Sequence, residues 1–205
     1  MTSADFVLAG LTSWAPLQDR PSIMGPHRWF LESWTGCLPS NEVFSDEWAI
    51  KIEAWPRNFD QQINLALQGS TVVLVSGDPL IATPHEHLLK HLRSKGLSCL
   101  VRRRPGVIDL VATHCGQRPR LLPASAHSQI SEHLATRTDP LLVVEDDQGE
   151  DLWDLGRGWQ GSDWKAICYA DLGTPQSASG PLHRAPDGQL RCLVFQRALE
   201  LFPAP

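Results

Sequence analysis

The chain of 205 residues lacks the features that would place it on a membrane or a nucleic acid. No run approaches the ~18 apolar residues that span a bilayer, and residues 1–11 lack the basic segment and apolar core of a signal peptide. Basic residues are not in excess: 18 Lys and Arg face 23 Asp and Glu, so the net charge is −5. The run Arg102-Arg103-Arg104 is too short to make a nucleic-acid surface and is predicted to end a strand. We expect a cytoplasmic protein that has neither a nucleic acid nor a membrane as partner.

Common glycine fingerprints and metal-ligand patterns are also missing. There is no Gly-x-Ser-x-Gly elbow for acyl transfer and no Walker or Rossmann glycine pattern. His87 and His91 have the i,i+4 spacing of a helical metal site, but no third ligand lies at motif spacing, which favours surface histidines and no metal. The cysteines are odd in number, widely spaced and without a Cys-x-x-Cys pair, so we expect reduced thiols, neither bridged nor zinc-bound. They are Cys37, Cys99, Cys115, Cys168 and Cys192.

Six apolar, β-branched runs bounded by turn residues are predicted to be strands. They lie at residues 5–10, 71–76, 98–102, 141–145, 166–170 and 190–195. Several are continuous rather than alternating, which is typical of parallel strands covered on both faces. Helical patterns lie between them, at residues 58–68, 84–95 and 125–135. The chain is therefore predicted to belong to the α/β class.

The organisation of the chain is predicted from its turns and loops. A boundary is expected within residues 104–120, where Arg104-Pro105-Gly106 ends a strand and residues 113–120 have the composition of a connection. We expect two α/β lobes, residues 1–105 and 112–205, with a crevice between them. Residues 146–163, which are acidic and rich in glycine, are predicted to form a long loop.

The strand at residues 71–76 ends in Gly77-Asp78-Pro79, just before a helix. Open α/β sheets bind ligands beyond the carboxyl ends of their strands. Gly77 lets the backbone approach a ligand without a Cβ in the way, and Pro79 holds Asp78 extended at the rim. Such a turn suits a small polar ligand. From the tripeptide alone, a structural turn that binds nothing is favoured.

The helix that follows this turn has start and stop signals of its own. Thr83 and Glu86 have the spacing of a capping box, with Pro84 at the first helical position. Gly96 follows the last periodic residue, as expected of a helix-ending glycine. Strand, loop, helix and strand together predict a βαβ unit.

Residues 76–96, SGDPLIATPHEHLLKHLRSKG, followed by CLVRRRPGVIDLVA, resemble a motif region of the tetrapyrrole methylase superfamily, and within it most that of the diphthine synthases. That family shows Gly-Asp-Pro-Leu-x-Ala-Thr-x-His, a helix ending in Lys-x-Gly, and a later turn of the Gly-Val-Ser-Ile kind. Upstream, WFLESWTGCLP resembles the family's aromatic-Leu-Glu-x-aromatic-Thr segment. Downstream, PLLVVEDD, AICYADLGTPQ and LRCLVFQR lie where the family's second lobe has strands.

The resemblance implies two αβα lobes with S-adenosyl-L-methionine in the cleft between them. No catalytic residue is identified by it. Seven positions carried over from the family's motifs are its candidates for cofactor binding. They are Gly77, Asp78 and Ile81 in the first motif, Val107 and Ile108 in the turn after the arginines, Ala170 at a strand end, and Arg191, which stands near a family histidine.

The function implied is that of an S-adenosylmethionine-dependent methyltransferase that acts on a corrin-like ring or on a protein or peptide group. Related proteins commonly dimerise, so a homodimer is also expected. Two departures from the family pattern support an alternative. The family's Gly-x-Gly-x-Gly-Asp loop is reduced to Gly10, and the later turn reads Gly106-Val107-Ile108-Asp109, without the hydroxyl. The alternative is a non-catalytic binding or scaffold protein with a methylase fold.

Overall fold

A computed structural model describes residues 4–12, 16–32, 38–81, 83–145, 151–159, 163–170, 178–187 and 191–197. The chain divides into two compact units, Met1–Gly106 and Val107–Pro205. Each unit contains one five-stranded sheet and helices, so the predicted α/β class is confirmed. No helix in these ranges is long and apolar enough to cross a membrane.

The first unit is built on a parallel sheet. Its strands are β1 (Phe6–Leu11), β2 (Arg28–Leu31), β3 (Ile52–Ala54), β4 (Thr71–Ser76) and β5 (Cys99–Arg102). They lie in the order β3-β2-β4-β1-β5, and every pairing is parallel. The five strands therefore end at one edge of the sheet, here called the carboxyl edge. β1 and β4 are buried on both faces, as their continuous apolar runs predict.

Helices cover both faces of this sheet. They are α1 (Asn41–Trp48), α2 (Phe59–Leu67) and α3 (His85–Ser94), and a short 3-10 turn lies at Pro16–Gln18. α1 packs Phe44 and Trp48 against one face. α2 and α3 cover the other face through Ala66 and three leucines of α3. The first unit therefore has three layers, helix, sheet and helix.

The start of α3 differs from the predicted capping box. The helix begins at His85, and no side chain caps it at Pro84. The N-cap position is thus Pro84 and not Thr83, so the predicted capping box is wrong. The Thr83 hydroxyl donates to the carbonyl oxygen of Pro79 at 2.5 Å, within the turn. The other end is as predicted, since Gly96 follows the helix with a φ of 87°.

The second unit contains a mixed sheet. Its strands are β6 (Arg120–Pro123), β7 (Leu141–Val144), β8 (Trp164–Ala170), β9 (Ala178–Pro181) and β10 (Arg191–Arg197), in the order β6-β7-β10-β8-β9. β6 and β7 are parallel, whereas the other three pairings are antiparallel. The parallel character predicted from continuous apolar runs therefore holds for the first sheet only.

In the described residues of the second unit, three helices accompany the sheet. They are α4 (Val107–Cys115), α5 (His127–Thr136) and α6 (Leu152–Trp159), with a short 3-10 turn at Leu182–Arg184. α5 and α6 pack Ile130, Leu152 and Trp153 into one apolar cluster with β7, β8 and β10. Two predictions are corrected here: α4 occupies residues predicted to be a turn and a connection, and α6 lies in the predicted long loop. Glycines on either side of α4 and within α6 concealed the helical periodicity of these segments.

The cysteines in the described part of the chain are unpaired, as expected, and Cys37 lies outside it. Cys168 and Cys192 are buried in the second sheet. Burial raises the pKa of the Cys168 thiol to about 11 and that of Cys192 to about 12. Both thiols therefore stay protonated at neutral pH and serve as small core residues.

Three glycines allow the backbone to pack tightly at the carboxyl edge of the first sheet. A Cβ on Gly10 would lie 2.1 Å from the carbonyl oxygen of Gly77, and a Cβ on Gly77 would lie 2.9 Å from the Cα of Gly106. Gly77 also has a φ of 67°, and its N–H donates to the oxygen of Leu11 at 2.7 Å. We call Gly10, Gly77 and Gly106 the glycine junction. It joins the ends of β1 and β4 to the segment after β5.

We predict that Gly10→Ala lowers the free energy of unfolding by about 1–3 kcal/mol, because backbone atoms must shift to admit the methyl group. Urea denaturation followed by circular dichroism measures this loss. Gly158→Ala is the control, since nothing lies within 4 Å of its added Cβ in α6 and alanine favours a helix over glycine by up to about 1 kcal/mol. A Gly10→Ala protein as stable as the wild type would contradict the packing described.

Candidate functional site

The first sheet has a topological switch point between β4 and β1. These strands are neighbours, yet the chain continues from them in opposite directions. From β1 it goes to β2, toward the β3 end of the strand order, and from β4 it goes to β5, at the other end. α3, which follows β4, covers one face, and α1, which follows β2, covers the opposite face. Ligands of open α/β sheets bind beyond the carboxyl ends of the strands at such a point. The residues that follow β4 there are Gly77 and Asp78.

The Gly77-Asp78 turn holds a carboxylate at the switch point. Asp78 is 7% exposed. Its Oδ1 accepts from the backbone N–H of Leu80 at 3.0 Å, and its Oδ2 accepts from Nε of Arg103 at 2.7 Å and Nη2 at 2.6 Å. Ile81 is half-buried and donates its N–H to the Asp78 carbonyl oxygen at 3.1 Å. The structure therefore brings Gly77, Asp78 and Ile81 together in one turn, with a guanidinium against the carboxylate.

A buried ion pair lies beneath this turn. His85, at the start of α3, is 1% exposed, and Glu32, directly after β2, is equally buried. Nε2 of His85 lies 2.6 Å from Oε2 of Glu32, and Nδ1 lies 2.9 Å from the carbonyl oxygen of Pro79. A carbonyl oxygen and a carboxylate both accept hydrogen bonds, so both ring nitrogens donate and the imidazole carries a positive charge. The pair connects the end of β2 to the turn after β4.

Two opposing influences act on the pKa of His85. Burial disfavours the charged imidazolium and by itself would lower the pKa. The hydrogen bond and negative charge of Glu32, with the bond to Pro79, outweigh burial and raise the pKa above its ordinary value of 6.5. The charged form of His85 is therefore the one that the folded chain stabilises.

Sequence reasoning missed this pair, although both residues stood in quoted motifs. Glu32 is the glutamate of WFLESWTGCLP, and His85 is the histidine of the segment that begins at Gly77. A glutamate that directly follows an apolar strand would be costly to bury without a partner. The need of Glu32 for a partner could therefore have indicated His85, which lies in the other motif.

Two of the cofactor-binding candidates, Ala170 and Arg191, lie on neighbouring strands of the second sheet. Ala170 is buried at the end of β8 and is paired across the sheet with Arg191 of β10. The Arg191 guanidinium binds both carboxylate oxygens of Glu145 and donates to Asp151 at 2.8 Å. It also lies 5.4 Å from the ring centroid of Trp153. The hydrogen bond to Glu145, followed by the bond to Asp151 and the charges of both carboxylates, raises the pKa of Arg191.

Val107 and Ile108 were predicted to lie in a turn, but they form the first turn of α4. Ile108 is buried. In the family, the strand that follows the helix leads into a turn, and the resemblance therefore predicted a turn at these residues. In this chain the turn ends at Gly106, one residue before Val107. Gly106 lies close to Asp78, because a Cβ added to Gly106 would lie 3.2 Å from the Asp78 nitrogen.

The histidines with metal-ligand spacing contact an aromatic ring. His87 stacks on Phe59 at a centroid distance of 5.1 Å, and His91 meets the same ring edge-on at 6.1 Å. Within the described ranges, no group of three or more His, Cys, Asp or Glu side chains is placed to hold a metal ion. Ring packing between α2 and α3 accounts for this spacing.

Comparison with known proteins defines the class of fold. No protein-family model and no curated protein sequence matches the chain. Solved structures do match it, and they give it the two-sheet α/β fold of diphthine synthases. One is a diphthine synthase, with a TM-score of 0.69 and 16% sequence identity, over 93% of this chain and 89% of that chain. Another is an Entamoeba histolytica protein assigned as a diphthine synthase, with a TM-score of 0.65 and 15% identity, over 92% and 90%.

We predict that Glu32→Gln reverses the pH dependence of stability near neutral pH. In the wild type the raised pKa of His85 gives a stabilisation that is complete below pH 6.5 and is lost as pH rises through the folded-state pKa. In the variant, burial without a charged partner lowers that pKa, so stability is lost as pH falls below the ordinary value. The variant is expected to be about 1–3 kcal/mol less stable at pH 6.

The measurement is the free energy of unfolding between pH 5.5 and 8.5, in roughly half-unit steps. Glu86→Gln is the matched control, because Glu86 is an exposed acid in the first turn of α3. This control should keep the wild-type profile. Parallel pH profiles for the wild type and Glu32→Gln would show that the pair carries no net charge-dependent stabilisation.

Proposed function

We propose that the protein is an S-adenosylmethionine-dependent methyltransferase of the tetrapyrrole methylase and diphthine synthase type. The acceptor would be a corrin-like ring or a protein or peptide group. The observation that carries the proposal is the Gly77-Asp78 turn, which holds a carboxylate at the switch point of a parallel sheet. The likeness to diphthine synthases in both sheets supports it. A cytoplasmic homodimer belongs to the same proposal.

The residues of the turn fit a cofactor that has both polar and apolar parts. Gly77 presents backbone without a side chain, and Ile81 adds an apolar surface. Oδ1 of Asp78 accepts one bond, from Leu80, and a carboxylate oxygen has capacity for two. Asp78 is thus suited to accept a bond from a hydroxyl or ammonium group.

The resemblance assigns four more residues of the second unit to the cofactor. They are Val107, Ile108, Ala170 and Arg191. Of these, Arg191 fits least well, because Glu145 and Asp151 already bind its guanidinium. The proposal therefore depends mainly on the turn in the first unit.

S-adenosylmethionine supplies an activated methyl group on a sulfonium. What the chain must supply is orientation of the acceptor and exclusion of water. His85 is not a suitable general base, because both of its nitrogens are engaged and it is 1% exposed. It acts instead through the turn, by holding the Pro79 carbonyl oxygen in place.

A second candidate function is a non-catalytic binding or scaffold protein with a methylase fold. One observation favours it: Arg103 already neutralises the Asp78 carboxylate. The reduced glycine-rich loop points the same way, since only Gly10 remains of that pattern. Binding and turnover of the cofactor separate the two candidates.

We expect S-adenosylhomocysteine to bind with a dissociation constant in the micromolar range, about −8 kcal/mol, by isothermal titration calorimetry. Gly77→Val should abolish binding, because a side chain at a φ of 67° both strains the turn and occupies its surface. Asp78→Asn should weaken binding about tenfold or more, since charged hydrogen bonds are stronger than neutral ones.

Asp46→Asn is the matched control, since Asp46 is exposed on α1 and its substitution removes the same charge. Its affinity should equal that of the wild type, and circular dichroism should show that every variant is folded. A folded wild type that binds no S-adenosylhomocysteine would refute the proposal. Binding without transfer of labelled methyl groups to any component of a cell extract would favour the non-catalytic alternative.

A further inference from the structure

A pocket of about 250 Å³ lies at the carboxyl edge of the first sheet, where β1 and β5 end. Its lining is Gly10, Asp19, Pro21 and the three consecutive arginines 102, 103 and 104. Successive side chains of a strand point to opposite faces. All three arginines line one pocket because β5 ends at Arg102 and the chain turns there.

Each guanidinium in this pocket is held in place by an acceptor. Arg104 makes a bidentate pair with Asp19, through Nε at 2.9 Å and Nη2 at 2.6 Å. Arg102 donates from Nη2 to the carbonyl oxygen of Ser22 at 2.6 Å, and Arg103 binds Asp78. Asp19 is itself anchored, because its Oδ2 accepts from the N–H of Thr12 at 3.0 Å. The arginines are therefore ordered before any ligand arrives.

These bonds use part of the donor capacity of the pocket. An arginine has five N–H donors, and the bonds just given take one from Arg102 and two from Arg104. The side chain of Arg104 is 49% exposed, so its outer edge faces the solvent. Ordered guanidinium donors of this kind match the geometry of carboxylate and phosphate oxygens.

The charge of the pocket also favours an anion. Its lining includes three arginines and one carboxylate, that of Asp19, in a chain whose net charge is −5. Its volume is below the range of about 300–1,000 Å³ that is usual for drug-sized ligands. The ligand is therefore a compact molecule, or the acidic end of a larger one.

We propose that this pocket binds a small molecule through a carboxylate or phosphate group, held chiefly by Arg102 and Arg104. The site lies beside the Gly77-Asp78 turn, but its assignment does not depend on the proposed methyl transfer. Its ligand is recognised as an oxyanion, whatever chemistry takes place at the turn.

Titration of the isotope-labelled full chain with inorganic phosphate and, separately, with succinate tests the proposal in the absence of any cofactor. Resonances of the backbone amides and Nε–H groups of residues 102–104 should shift and saturate. Arg102→Gln and Arg104→Gln should each weaken binding about tenfold or more, as expected for loss of a charged hydrogen bond. Tighter binding of phosphate would identify a phosphate ligand, and tighter binding of succinate a carboxylate.

Arg93→Gln is the matched control, because it removes the same charge from an exposed position at the end of α3. It should change the affinity by less than about twofold. Arg104→Lys keeps the charge at the pocket and should retain more affinity than Arg104→Gln, even where the Asp19 pair is weakened. Absence of saturable binding by either anion, or equal losses in Arg93→Gln and Arg104→Gln, would overturn the proposal.

Discussion

The close approach of Gly10 to the carbonyl oxygen of Gly77 is the constraint on which the first unit depends. Because neither residue has a side chain, β1 and β4 stay paired to their ends, and Gly77 still donates to Leu11 beyond the last strand residue. Gly106 completes the contact from the segment after β5. A Cβ on Gly10 would push the ends of β1 and β4 apart, and a Cβ on Gly77 would displace the segment that contains Gly106.

Two ionic contacts hold the turn after β4, one from each side. They differ in their exposure to water. On the β5 side, Arg103 binds Asp78, and the Arg103 side chain is 58% exposed, so this contact is partly hydrated. On the β2 side, Glu32 and His85 form a pair that is removed from water. Breaking a buried pair leaves an uncompensated charge, whereas exposed pairs contribute little. The Glu32–His85 pair is therefore the costlier contact to break, and the Arg103–Asp78 contact is the one that exchanges partners more easily.

Sequence patterns predicted the strands that have apolar, β-branched runs, including the four-residue β5 and β7, but missed β2 and β3. The strand at residues 71–76 coincides with β4, because its continuous apolar run is buried on both faces. β2 has no β-branched residue and β3 has only Ile52, so neither shows the β-branched apolar run from which the strands were predicted. The resemblance to a family identified the turn that contains Asp78, but the motif alone gave no distances.

Contacts between distant residues were beyond the reach of local patterns. Glu32 meets His85, and Arg103 meets Asp78, across turns whose geometry only the folded sheet defines. Arg191 shows the same limit: the family position suggests a contact with the cofactor, but the motif did not indicate the two carboxylates from other elements that bind this side chain. A motif reports residue type and order, whereas the partners of a charge follow from the packing of whole elements.

The position of β1 in its sheet has a consequence for how the chain is made. β1 pairs with β4 and β5, so residue 6 cannot pair until residue 71, and then residue 99, has been synthesised. Parallel pairing over such long loops forms slowly, because the loop entropy is lost before the contacts form. During synthesis, which delivers about 5–20 residues per second, this apolar strand is exposed for several seconds. Molecular chaperones that shield apolar segments on the ribosome are therefore expected to matter more for this half of the chain than for an antiparallel hairpin of the same size.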